Sequence, residues 1–214
     1  EVGFAPDLED DRQALDLLLE AVTDAGRRPG REVFLALDVA ANECREEGGY
    51  TLLGLERAPA ADLIGAYAAL CDDYPIGSIE APLAEEDWAG WTALTARLGK
   101  RVTVVGDDLY VTQTARLRRG IAEKASNAIL IKLNQVGTVT ETLETVRTAQ
   151  EAGWRAVVSH RSGETEDPFL ADLAVGTGCG WIKAGAPCRS ERTAKFNRLL
   201  RIEETMKRRK GKAR

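Results

Sequence analysis

The chain has 214 residues, 44% of them hydrophobic and 29% charged, with a formal net charge of -5. That length can bury one sizeable core, and the composition is ordinary for a globular domain. The acidic balance gives no reason to expect a nucleic-acid partner, and no apolar run approaches the roughly 18 residues of a membrane span, so no membrane partner is expected either.

The sequence opens at Glu1 rather than Met, in what reads as a loop, which suggests a processed or partial sequence. It carries no signal-peptide pattern at its start. Ala14, Leu15, Leu18, Leu19 and Val22 recur at helical spacing and stop at Gly26, predicting a helix with one apolar face. The run Val33, Phe34, Leu35, Ala36, Leu37 is short, apolar and not alternating, as expected of a parallel strand buried on both faces. Residues 42–57, with Gly48 and Gly49 inside them, read as a hairpin or extended loop. Pro59 stands where a first helical turn begins, ahead of Leu63, Ile64 and Tyr67.

Further apolar runs lie at residues 76–79, 102–105, 128–131, 156–158 and 181–182. Thr138 and Glu141 make a capping box ahead of Leu143 and Val146, and Asp167-Pro168 and Ser190 open the last two helices. Strand and helix alternate without interruption, which predicts a parallel α/β fold. Residues 1–206 read as one folded domain, and the basic stretch 207–214 as a solvated, disordered tail. Cys44, Cys71, Cys179 and Cys188 show no paired spacing, so free thiols in a reducing cytosol are expected rather than disulfides or a zinc site.

The residues just past each apolar run carry the chemistry. In order they are Asp38, Glu80, Asp107-Asp108, Lys132, His160-Arg161 and Lys183: three carboxylate ends, then three cationic ones. Taken singly, each has a plain structural explanation as a cap, a turn residue or a strand's exit to solvent. Taken together, six consecutive strand ends that are all ionisable and segregated by sign point to a site, because a β/α barrel gathers its strand ends at one mouth. Three carboxylates suit a hard, oxygen-liganded cation such as magnesium. A lysine can serve as a base where neighbouring cations lower its pKa, and Arg161-Ser162 suits a phosphate or carboxylate. The sum is proton abstraction beside a metal-bound carboxylate, on a phosphorylated acid.

The wording around these positions resembles the enolase family. The segments are Ser159-His160-Arg161-Ser162-Gly163-Glu164-Thr165-Glu166-Asp167, Lys132-Leu133-Asn134-Gln135-Val136-Gly137-Thr138, Val105-Gly106-Asp107-Asp108-Leu109, Ile182-Lys183-Ala184-Gly185-Ala186-Pro187, Leu37-Asp38-Val39-Ala40 and Leu199-Leu200-Arg201-Ile202-Glu203-Glu204. The resemblance implies an α/β fold, a TIM-like (β/α) barrel of the enolase C-terminal type with about six of its eight strands. It implies reversible, magnesium-dependent dehydration of 2-phosphoglycerate to phosphoenolpyruvate by a cytoplasmic lyase of glycolysis, homodimeric at full length. Asp38, Glu80 and Asp107 match the ligands of the catalytic magnesium, and Lys132 matches the base that removes the C2 proton. Glu1 matches the acid that helps the hydroxyl depart. Lys183 matches a substrate-carboxylate contact, Arg161 and Ser162 phosphate contacts, and His160 a neighbouring substrate contact. A second magnesium is expected, held in part by an N-terminal loop that this sequence lacks.

Three positions depart from the family pattern. Val2 stands where a loop glycine is usual, Ala81 where an acidic residue follows Glu80, and Thr112-Gln113-Thr114 where T-N-P is usual. They raise two other readings. One is a diverged enzyme of the carboxyphosphonoenolpyruvate synthase type, acting on phosphoenolpyruvate or a phosphonate analogue; the other is a non-catalytic binding protein. Six βα units would leave two raw edges, so the 214 residues alone are expected to be poorly stable and inactive.

Overall fold

The computed structural model describes Gly3 and residues 5–212. Glu1 and Val2 therefore lie outside the described residues. The chain divides into two compact units. Of the described residues, one comprises Pro6–Tyr110 with Ala115–Ile129; the other comprises Val111–Thr114 and residues 130–212.

The first unit begins with α1 (Asp11–Asp24), capped by the Asp10 carboxylate, which accepts a 2.9 Å bond from the Gln13 N–H. Of the apolar face read from the sequence, Leu15 is buried, but Leu18 remains 53% exposed. Strand β1 (Leu35–Asp38) follows, then β2 (Arg45–Glu46), β3 (Gly49–Leu52) and β4 (Leu55–Ala58), which make a small antiparallel sheet of the 42–57 insertion. Helix α2 (Ala60–Asp73) takes Pro59 as its N-cap, one position ahead of its first turn. Strand β5 (Ile76–Glu80), α3 (Trp88–Leu98), β6 (Thr103–Gly106) and α4 (Thr114–Glu123) come next. The strands run β1-β5-β6-β7, each parallel to the next; β7 is Ala128–Ile131, and its first two residues belong to this unit.

The core here sits between strands and helices, around Leu63, Tyr67, Ile79, Trp91, Leu94 and Val104, all buried. The two large polar rings in it are satisfied. Trp91 Nε1 donates to the Ala84 carbonyl at 3.0 Å and the Tyr67 hydroxyl to the Pro82 carbonyl at 2.8 Å. Tyr110 wedges so closely against Gly106 and Gly120 that a Cβ at either glycine would overlap its ring. Its hydroxyl is held 2.8 Å from Ser126 Oγ. That wedge fixes the turn carrying Asp107 and Asp108.

The second unit holds the rest of β7, then α5 (Leu133–Val136), α6 (Val139–Glu151), β8 (Arg155–Ser159), α7 (Phe169–Gly176), β9 (Trp181–Lys183) and α8 (Ser190–Lys212). Its strand order is β7-β8-β9. Thr138 caps α6 with one half of the box: its Oγ1 accepts from the Glu141 N–H at 3.2 Å, while the Glu141 carboxylate takes the Thr138 hydroxyl at 2.6 Å rather than the Thr138 N–H. Asp167 takes the Phe169 N–H at 2.8 Å and so starts α7. Val158, Leu173 and Ala174 form the apolar centre, with Leu133, Leu143, Leu170, Cys179 and Ile182 packed on it. Arg198 of α8 grips Asp172 of α7 with two bonds of 2.8 and 2.6 Å. The basic stretch read as a disordered tail from Lys207 is helical here, since α8 continues to Lys212.

All four cysteines are free, and Cys188 is exposed. Among the described residues no helix is long and apolar enough to cross a membrane.

Ala81, next to Glu80, has φ 46°, a left-handed backbone that an L side chain adopts only with strain. Ala81→Gly removes that strain, and the full-length protein is expected to gain about 1 kcal/mol in a denaturant titration. An unchanged or lower midpoint would show that the turn is unstrained.

Candidate active site

The carboxylates of the first unit are set by strand register. Asp38 pairs with Glu80 across β1 and β5, and Glu80 pairs with Val105 across β5 and β6. Partners in a parallel ladder lie about 4.8 Å apart and share a face; Asp107 follows β6 directly, at the start of the turn. The ladder runs on past the strand ends, with Val39 N–H to the Glu80 carbonyl at 3.0 Å and Ala81 N–H to the Val105 carbonyl at 3.1 Å. Glu80 and Asp107 are buried, at 7% and 8% exposure, and Asp38 is exposed. Asn42, which the sequence did not single out, braces the surrounding loops. Its amide nitrogen reaches Asp108 at 3.3 Å and its carbonyl takes the Glu85 N–H at 2.9 Å.

A hard divalent cation fits this donor set in type: three carboxylate oxygen donors, two of them buried, at the ends of neighbouring strands. The side chains are not drawn into a finished cage, however. Among the described residues no group of three or more His, Cys, Asp or Glu could hold an ion as it stands.

The cations belong to the second unit. Lys132 follows β7 directly, and its backbone N–H donates to Thr112 Oγ1 at 2.9 Å. Thr112 is fully buried, donates onward to Gln135 Oε1 at 2.8 Å, and its carbonyl accepts from the Thr145 hydroxyl at 2.9 Å. Val111 and Thr112 have φ 44° and 58°, a rare conformation for β-branched residues that these bonds hold in place. The sequence marks Thr112 only as the first residue of a stretch that departs from T-N-P at its next two positions. Its bond to Lys132 spans 20 residues and leaves no local pattern to read.

Across β8 and β9, Ser159 pairs with Lys183, and the next N–H, of His160, donates to the Lys183 carbonyl at 2.9 Å. Arg161 reaches Asn134 Oδ1 at 2.8 Å. A cavity of about 270 Å³ opens here, lined by Asn134, Ser159, Arg161, Glu164, Thr165 and Phe169 among others. Burial pushes the Glu164 carboxyl up, but the N–H groups of Thr165 and Arg161 and the Lys195 ammonium, 3.4 Å away, outweigh it and hold Glu164 below the usual carboxylate range. The second unit thus gathers His160, Arg161, Ser162 and Lys183 at the ends of β8 and β9, and fixes Lys132 through Thr112.

Comparison with known proteins gives two findings. The model of the enolase C-terminal TIM barrel domain matches residues 1–212. A curated enolase from Acidothermus cellulolyticus is 57% identical over 206 residues, which is 96% of this chain and 48% of that protein. The chain therefore spans about half the length of the curated relative it matches.

Two outcomes are expected in the full-length protein. Thr112→Ala leaves the half-buried Lys132 N–H without its acceptor and lowers stability by about 1–3 kcal/mol, read by denaturant titration. The second concerns acid. A carboxyl held low in the fold stabilises it above the unfolded value of about 4.3, and that contribution fades as pH falls through the lowered value. Melting temperature should drop below about pH 4, and Glu164→Gln should flatten that drop. An identical acid profile in the variant would count against the role of Glu164.

Proposed function

The chain belongs to the enolase family, and from that premise we propose that the full-length protein dehydrates 2-phosphoglycerate reversibly to phosphoenolpyruvate, as a cytoplasmic, homodimeric lyase. The observation that carries this reading is the 57% identity to a curated enolase over nearly the whole chain. No structural observation favours action on a phosphonate analogue or a purely binding role.

In this reading Asp38, Glu80 and Asp107 hold the catalytic magnesium, and a second magnesium is expected. Magnesium, when bound, supplies positive charge that stabilises the substrate carboxylate as it takes up further negative charge. Lys132, as the neutral amine, takes the C2 proton and becomes an ammonium; its backbone anchor at Thr112 limits where the amine can reach. Lys183 binds the substrate carboxylate. Arg161 and Ser162 bind the phosphate, and a planar guanidinium suits two phosphate oxygens at once. His160 is a neighbouring substrate contact. Glu1 protonates the departing hydroxyl so that it leaves as water.

The test is direct. With 2-phosphoglycerate and magnesium, the full-length protein should generate the ultraviolet absorbance of the enol product. Chelation should abolish the signal and added magnesium restore it. Lys132→Ala should lower turnover about a hundredfold to ten-thousandfold, the usual worth of a general base. Absence of signal with wild-type protein, despite tight binding of phosphoenolpyruvate, would overturn the hydratase reading.

A further inference from the structure

Two cations in the second unit are buried deeper than any described group the reaction uses. Arg192 and Lys195 of α8 are 1% and 0% exposed. Neither lies at a strand end, and neither was singled out in the sequence. Arg192 Nη1 lies 2.7 Å from His160 Nδ1 and donates to the Arg161 carbonyl at 2.8 Å; Nη2 donates to the Ser162 carbonyl at 2.8 Å. Lys195 bonds to the Thr165 carbonyl and, at 2.8 Å, to the Glu191 carbonyl. One face of α8 therefore grips consecutive residues of the loop after β8.

The chemistry of these contacts is constrained. A guanidinium has donors and no acceptor, so the His160 Nδ1 that meets it must accept. The ring proton then sits on Nε2, and the doubly protonated ring does not fit this contact. The carbonyls matter as much. In a trans peptide the C=O points opposite to the N–H of the next residue. Drawing the Arg161 and Ser162 carbonyls toward α8 directs the N–H groups of Ser162 and Gly163 to the other side. Carbonyl oxygens repel an anion and N–H groups attract one, so the segment shows donors on the side away from α8.

Gly185 makes the passage for this arginine. Its φ is +84°, and a Cβ there would stand 2.8 Å from Arg192 Cδ and 3.2 Å from His160 Cε1. The turn after Lys183, the His160 ring and the Arg192 stem are thus packed with no room for a methyl group.

We propose that Arg192 is a positioning residue for phosphate binding: its guanidinium fixes His160 as the neutral Nε2–H tautomer and turns the Arg161 and Ser162 carbonyls away from the bound anion. This rests on the reading of residues 160–162 as substrate contacts.

The test uses the full-length protein. In ¹⁵N-histidine-labelled wild type, with the His160 signals identified by their loss in His160→Gln, the ring should be neutral with its proton on Nε2 near neutral pH. Arg192→Met should raise the KM for 2-phosphoglycerate and the inhibition constant of inorganic phosphate about tenfold to a hundredfold, with a smaller change in kcat. Its magnesium activation constant should be unchanged. Should the methionine variant fail to fold, Arg192→Lys keeps the charge but has one nitrogen for three acceptors, and a smaller rise of the same kind is expected. An Nδ1–H or doubly protonated His160 in wild type, or wild-type constants in folded variants, would overturn the proposal. Wild-type protein without turnover would overturn the hydratase reading instead, leaving the tautomer and phosphate binding still measurable.

Discussion

In a parallel ladder the strands all point one way, so the residues that leave their carboxyl ends emerge on a single edge. The ladder also fixes which side chains share a face, because slipping by one residue would invert every one of them. An alternating strand such as β1 cannot tolerate that inversion, since Leu35 is buried while Ala36 and Asp38 are exposed. This constraint sets Asp38 beside Glu80 in one unit and Ser159 beside Lys183 in the other. Groups placed at such ends inherit the rigidity of the core. The register is thus set by the apolar interior and used by the polar edge.

The second unit adds a different kind of order. Burying a charge is costly unless polar groups surround it; Arg192 meets the Arg161 and Ser162 carbonyls and the His160 ring, and Lys195 the Thr165 carbonyl and the Glu164 carboxylate. Those carbonyls gain partners they would otherwise seek in water. A loop of polar residues, which has little apolar area to hold it, is thereby given a fixed shape by two side chains from one helix. Thr112 acts similarly on Lys132 through a single hydroxyl and a strained backbone. In both places a group outside the site determines the aim of a group within it.

Much of the fold was legible because its signals are local. The runs at 76–79 and 128–131 announce buried strands, and Thr138 caps the start of α6 as expected. The ionisable strand ends were legible for the same reason, each being adjacent in sequence to its strand. What escaped was long-range. Arg192 acts across 30 to 32 residues, Thr112 across 20, and Asn42 across 66, so no spacing rule can find them. The α1 face was over-read: helical spacing identifies a stripe, but burial depends on a partner, and Leu18 stays largely exposed. The basic stretch from Lys207 was read as a frayed end on charge alone, yet α8 carries it on as helix to Lys212. At Thr112-Gln113-Thr114, where T-N-P is usual, two residues differ, and the structure gives the threonine that is kept four hydrogen-bonding partners.

The reach of the Arg192 contact also bears on how the protein is made. A ribosome delivers the chain from its N-terminus, so residues 160–162 emerge some thirty positions before the arginine that shapes them. During that interval β8 can already have joined its sheet, while the loop beyond it has no fixed form. These contacts arise only once the first turn of α8 has docked. Synthesis order therefore shapes this segment late, and a nascent chain broken off before α8 would carry residues 160–162 without the partner that fixes them.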